Sequence, residues 1–370
     1  MERLLINDLG RHNAPLMAEI QARVRAVLES GWYILGTQAA EFEAAFAAYC
    51  GTAECVGVAN GTDALELALR ALGVGPDDQV ATVANAGGYS TAAIRAVDAE
   101  PLFVDVDRSS MLLAPTALAE RLTPRTKAIV VTHLYGRMAD MPALLAIADA
   151  AGVPVVEDCA QAHGARLAGT AAGGWGKLGC FSFYPTKNLG ALGDAGAVVT
   201  NDAALAARIR ELRQYGWRRK YECVVEGGRN SRLDEMQAAV LCAKLPHLDG
   251  WNARRREIAA LYSEFLRESV VQLPAASGDH DVAHLYVIRT PVRDGVRSAL
   301  AAHGVAAEIH YPIPDHRQLS AAGQPWSRVE LPQTERCCQE VLTLPCFPEM
   351  SDEETARVAE AVRAALAGDR

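Results

Sequence analysis

Residues 54–72 read ECVGVANGTDALELALRAL, and this stretch decides the fold. ECVGVA has the short, Val-containing apolar character of a buried strand. Asn60-Gly61-Thr62-Asp63 makes a turn, and ALELALRAL continues as a helix. Gly73 stands where a helix C-terminal glycine is expected, since only glycine enters the left-handed region without steric cost. A strand that runs straight into a helix is half of a parallel crossover unit.

Working outward, the same alternation recurs. DQVATVA, PLFVDVD, KAIVVTHL, VPVVED, CFSFYP and GAVVTN are further short apolar runs. Helical patterns at Thr62–Leu72, Pro115–Arg121 and Met141–Ala151 lie between several of them. The expectation is an α/β fold: a mixed, mostly parallel sheet with helices on both faces. From about Leu233 the pattern turns long and helical. After His284 there are two apolar runs, HLYVIR and VLTLP, and a closing helix at Glu353–Leu366. A chain of 370 residues exceeds one small core, so two domains are expected: a large one over 1–248 and a smaller α+β one over 249–370.

With 50% hydrophobic and 22% charged residues the composition is that of a globular protein, and a net charge of -9 argues against a general nucleic-acid partner. The nine cysteines are scattered, with no Cys-x-x-Cys pair, so neither a zinc knuckle nor a disulfide framework is indicated and no metal site is expected. The opening MERLLINDLGRHN lacks the apolar run of a signal peptide, and no stretch is apolar enough to span a membrane. A cytoplasmic location is expected. Gly174-Trp-Gly-Lys-Leu-Gly179 matches a dinucleotide fingerprint, but it precedes a strand-like run instead of opening a helix, so it reads as a tight loop. No phosphate-binding P-loop sequence occurs.

Three features carry chemistry. In CFSFYPTKNLG, Ser182 and Lys187 sit where a strand gives way to a loop, with Pro185 between them. Burial at a strand end disfavours a charged amine, and Schiff-base chemistry needs the neutral one. A surface loop would be the plain alternative. Next, Val155-Val156-Glu157-Asp158 is a strand ending in two acids, at the sheet edge where ligands bind. Asp158 there could keep a pyridine nitrogen protonated, or could simply cap a helix. Gln161 and His163 follow closely enough to line the same pocket. Finally, the Asn60-Gly61-Thr62 turn opens a helix directly after a strand, an arrangement that binds phosphate or is an ordinary cap.

These strings, with SGWYILG at 30–36, HLYG at 133–136, EDCAQAHGA at 157–165, GRNSRLDEMQAA at 228–239, HYPIPDH at 310–316 and LPCFP at 344–348, resemble the DegT/StrS-type sugar aminotransferases. Those are pyridoxal-phosphate enzymes of the aspartate-aminotransferase-like fold-type I, and the match runs over nearly the whole chain. The resemblance implies pyridoxal 5'-phosphate, with pyridoxamine phosphate as the amine-carrying form. It implies Lys187 as the catalytic Schiff-base lysine and Asp158 at the pyridine nitrogen. Gln161 would bond the ring hydroxyl. Gly61, Thr62 and Ser182 would hold the phosphate. An asparagine matching Asn230 comes from the other subunit in that family, so a homodimer with shared active sites is implied. The segment that usually supplies a stacking aromatic is here ANAGGYST, with Gly88 at the usual place and Tyr89 one later; Tyr89 is the expected ring.

The implied reaction moves the amine of L-glutamate to a nucleotide-linked keto-deoxysugar. HYPIPDH looks more like members acting at C3 of dTDP-linked 3-keto-6-deoxyhexoses. Tyr33, Arg218, Arg232, His310, Tyr311 and His316 are the candidate substrate contacts. C4 amination, a cyclitol aminotransferase, a dehydratase and a non-catalytic regulator that keeps the cofactor pocket stay open as alternatives. Lys187 argues against the relatives that carry histidine there and deoxygenate.

Overall fold

A computed structural model describes residues 3–368; Met1 and Glu2, part of the opening segment read above, and Asp369 and Arg370 lie outside the described residues. Seven strands form the main sheet: β1 (Glu54–Val58), β2 (Gln79–Thr82), β3 (Glu100–Phe103), β4 (Thr126–Thr132), β5 (Val155–Asp158), β6 (Leu178–Ser182) and β7 (Gly196–Thr200). Their spatial order is β1-β7-β6-β5-β4-β2-β3. The pairs β2–β3, β2–β4, β4–β5 and β5–β6 are parallel, while β7 runs antiparallel to both neighbours. All seven apolar runs read from sequence are strands, within a few residues at each end.

Strand alternation explains why both faces are apolar. In β4, Ile129 and Val131 join a core with Phe42, Phe46 and Phe181. Ala128 and Val130 join a second core with Val56, Leu65 and Leu67 across the sheet. Successive side chains point to opposite faces, so a strand covered by helices on both sides must be apolar at every position. The helix Gly61–Ala71 starts at an Asn60 cap whose side chain accepts from Asp63 N–H at 2.8 Å, and Gly73 at its far end has φ +75°. The helices Pro115–Arg121 and Met141–Ala151 have the bounds expected from sequence, and the closing helix runs Asp352–Gly368.

A third core gathers residues distant in sequence: Leu4, Ile258, Tyr262, Ile288, Leu300 and Val362. It is built on the helix Leu248–Phe265 and an antiparallel pair, β8 (Tyr286–Arg289) with β9 (Val341–Leu344). The nine cysteines are unpaired, and all but Cys223 are buried. No described helix is long and apolar enough to cross a membrane.

Candidate active site

β5 is the central strand, and period-two alternation sends its two terminal acids to opposite faces. Glu157 serves the scaffold. Its carboxylate accepts from the backbone N–H of Gly173, Trp175 and Gly176 at 2.7–3.0 Å. This is the glycine-rich loop expected from sequence, folded around a buried acid. His133 Nδ1 accepts from Ala139 N–H, so Nε2 carries the proton and donates to Glu157 at 2.9 Å. Glu157 and His133, which group with Cys159 closely enough to suggest a metal site, therefore have their lone pairs committed.

Asp158 faces a cavity of about 690 Å³ at the C-terminal edge of the sheet. Its carboxylate accepts from Ala160 N–H at 3.2 Å and from the hydroxyls of Ser90 at 3.3 Å and Thr132 at 3.4 Å. Burial nevertheless pushes its pKa up, because the hydrogen bonds and the charge of Lys187 do not offset desolvation. Such a carboxylate is suited to a cation inside the cavity.

Lys187 lines the same cavity from the turn after β6. Its backbone N–H bonds Tyr184 C=O at 2.8 Å, and Asn7 Nδ2 donates to Thr186 C=O at 3.3 Å, fixing the turn. Burial lowers its pKa to about 8, against the opposing pull of Asp158. Gly61 and Thr62 form a third wall at the helix start, where the first backbone N–H groups have no partner within the helix. A Cβ on Gly61 would lie 2.5 Å from that of Ser182, so glycine is required for the helix end to reach β6.

Gln161 lines the cavity with its orientation set: Oε1 accepts from Tyr135 N–H at 2.6 Å and Nε2 donates to the Tyr311 hydroxyl at 3.2 Å. Tyr89 opens a helix at the cavity rim, its ring edge-on to Tyr311 at 6.2 Å.

A model of the DegT/DnrJ/EryC1/StrS aminotransferase family matches residues 15–363. The chain belongs to this family. It is 46% identical over 363 residues to a UDP-N-acetyl-3-dehydro-alpha-D-glucosamine 3-aminotransferase of Acidithiobacillus ferrooxidans, covering 98% of this chain and 97% of that one. It is 46% identical over 358 residues to a dTDP-3-amino-3,4,6-trideoxy-alpha-D-glucose transaminase of Streptomyces venezuelae, covering 96% and 94%. The crystal structure of Streptomyces venezuelae DesV in complex with a ketimine intermediate superposes with a TM-score of 0.95 at 45% identity, covering 98% of each chain.

As a member of the DegT/DnrJ/EryC1/StrS family, the protein is a pyridoxal-phosphate-dependent aminotransferase. Its residues fit that group: a buried acid for the cationic ring nitrogen, an amine held near neutrality and a helix N-terminus for the phosphate. The cradle that a Cβ at Gly61 would fill lies against Ser182.

The site expectations divide three ways. Gly61, Thr62, Tyr89, Asp158, Gln161, Ser182, Lys187, His310 and Tyr311 all line the cavity. His316 does not: it is buried, its Nε2 pairs with Glu335 at 2.9 Å and its ring packs near Phe103, so it braces the HYPIPDH turn. His163 is likewise fully buried, donating from Nε2 to Ser182 C=O at 2.9 Å beneath the cavity wall. Asn230, Tyr33, Arg218 and Arg232 stand outside the cavity of their own chain. Asn230 bridges to Gln214, and Arg218 pairs with Glu211 at 2.9 Å on an exposed hairpin. Sequence reasoning missed His284 and Glu308, which line the cavity. A histidine directly before the run LYVIR was the available signal for the first.

Proposed function

We propose that this protein transfers the amino group of L-glutamate to C3 of a nucleotide-linked keto-deoxysugar, with a dTDP-3-keto-6-deoxyhexose as the acceptor class. The observation that carries the reading is the convergence of Lys187 and Asp158 on one cavity. The two curated relatives support C3, since both of their names place the nitrogen there.

Pyridoxal phosphate, when bound, supplies an electron sink that makes the neighbouring C–H acidic. The Asp158 carboxylate holds a proton on the ring nitrogen, which keeps that sink cationic. Lys187 Nζ links the cofactor. Once freed, it takes a proton from the α-carbon of the donor and, in the second half of the cycle, delivers one to the sugar carbon. A pKa of about 8 leaves Lys187 able to do both near neutral pH. Gln161 Nε2 keeps one N–H for the ring hydroxyl. The Gly61 and Thr62 backbone and the Ser182 hydroxyl receive the phosphate, and Tyr89 covers the ring face.

Asn230 serves the phosphate site of a second copy, so the working unit is a homodimer, with Arg232 and Arg218 near the shared site. The location is cytoplasmic. The chain divides near residue 248, a reading supported by the third core, which draws mainly on residues after that point.

The test is the visible absorbance of the protein loaded with pyridoxal phosphate, before and after L-glutamate. Bleaching of the yellow band to the pyridoxamine form supports lysine linkage and donor together. A yellow band that glutamate leaves unchanged rejects the donor, and a protein that never colours rejects the reading.

A further inference from the structure

His284 is a buried histidine that the steps above do not use, and its protonation state is legible from its neighbours. Asn188 Nδ2 donates to Asn252 Oδ1 at 2.8 Å and to Val282 C=O at 3.1 Å. Both amide protons are thereby spent on acceptors, so Asn188 Oδ1 is fixed as the acceptor end. His284 Nδ1 lies 2.8 Å from that Oδ1 and must carry the proton. Nε2 is left as a bare lone pair. His284 lines the cavity, and Nε2 has no partner among the described residues.

The ring is also held neutral. Burial is the main cause, and the nearby charges of Lys187 and Arg255 add to it. The wall that His284 shares with Glu308 and His310 points the same way. His310 Nδ1 is engaged with the Thr343 hydroxyl at 2.8 Å, its pKa is lowered to about 4, and Glu308 brings a carboxylate 3.4 Å from its Nε2. This wall offers acceptors in His284 Nε2 and the Glu308 carboxylate. It suits a ligand that brings hydroxyl donors and is ill matched to a carboxylate.

We propose that His284 Nε2 accepts a hydrogen bond from a ring hydroxyl of the keto-sugar, and that Asn188 is the positioning residue that fixes the tautomer. The proposal rests on the sugar-aminotransferase reading and names the wall that distinguishes the polyhydroxylated acceptor from the dicarboxylic donor. The chain of contacts also ties the acceptor wall to the lysine turn, because Asn188 follows Lys187 directly.

Two measurements test it. Nitrogen-15 NMR of the histidine side chains, on the protein without substrate, is expected to show His284 neutral with the proton on Nδ1; a cationic ring or a proton on Nε2 overturns the proposal. In steady state, His284→Phe is expected to raise KM for the keto-sugar about tenfold, the loss of one hydrogen bond. His284→Gln, which keeps a carbonyl acceptor, recovers part of that. Any slowing of glutamate-driven bleaching is expected to be several-fold smaller than the sugar effect. Equal effects on both half-reactions, or an unchanged sugar KM, overturn the proposal. A wild-type protein that glutamate fails to bleach rejects the underlying reading instead. Should the Phe variant not fold, the NMR result and the Gln variant decide.

Discussion

Gly61 approaches Ser182 so closely that a Cβ on the glycine would sit 2.5 Å from the serine Cβ and 3.2 Å from its Oγ. The helix N-terminus and the strand end proposed above to hold the phosphate are therefore in contact through a missing side chain. Gly61→Ala forces them apart, and overpacking of this kind costs about 1–3 kcal/mol. The expected result is a weaker hold on pyridoxal phosphate, by about tenfold or more on the scale of 1.4 kcal/mol per decade, measured by dialysis or fluorescence titration. Unchanged affinity would separate Gly61 from the cofactor site.

Lys187 should report its burial through pH. A pKa lowered to about 8 leaves roughly a tenth of the molecules neutral at pH 7, where an ordinary lysine would leave well under a thousandth. Capture of pyridoxal phosphate by the cofactor-free protein is expected to accelerate with pH and level off above about 8. A rate still climbing as steeply above pH 10 would mean an unperturbed lysine.

Asp158 should trade stability for function. Its folded pKa is raised by burial, so the folded state holds the proton more tightly than the unfolded one. Ionisation therefore costs stability, fully above the folded pKa and not at all below the unfolded value. Asp158→Asn removes that cost, and the Ser90 and Thr132 hydroxyls can rotate to accept from the new amide. The cofactor-free variant is expected to melt higher than wild type at pH 7, with the difference vanishing at strongly acidic pH. Its turnover is expected to fall by about a hundredfold or more, because a neutral amide cannot hold the ring nitrogen's proton. A variant that melts lower at pH 7 would contradict the desolvation argument.

Glu157, one residue earlier, is expected to behave in the opposite way. Glu157→Ala strands the N–H groups of Gly173, Trp175 and Gly176 and the ring of His133. Breaking a buried network of this kind costs about 3 kcal/mol or more, readable in a urea titration. A loss under 1 kcal/mol would show that the loop finds other partners.

Neighbouring residues show where the sequence was legible and where it was not. VPVVED declared a buried strand, and its position before EDCAQAHGA marked Asp158; alternation then assigned Glu157 to the scaffold, a division visible only once the 173–176 loop was in place. HYPIPDH showed a constrained turn, yet Tyr311 enters the cavity while His316 turns inward to Glu335, because proline-rich backbone has no period from which to read a side. His284 escaped notice because its partner Asn188 is brought to it by the tertiary fold, and Glu308 because it precedes the HYPIPDH string on an irregular segment with no period from which to read a side. Asn230 was marked only through family likeness, and a single chain leaves it outside the cavity.

Transfer of nitrogen itself is the most direct test of the central claim. The protein, loaded with pyridoxal phosphate, is given L-glutamate labelled with nitrogen-15 and a dTDP-3-keto-6-deoxyhexose, and the product is read by mass spectrometry. The account requires labelled nitrogen on the sugar with wild-type protein, and none with Lys187→Ala at unchanged circular dichroism. Labelled product from the Lys187→Ala variant at the wild-type rate, or none from the wild type at saturating cofactor and donor, would contradict it.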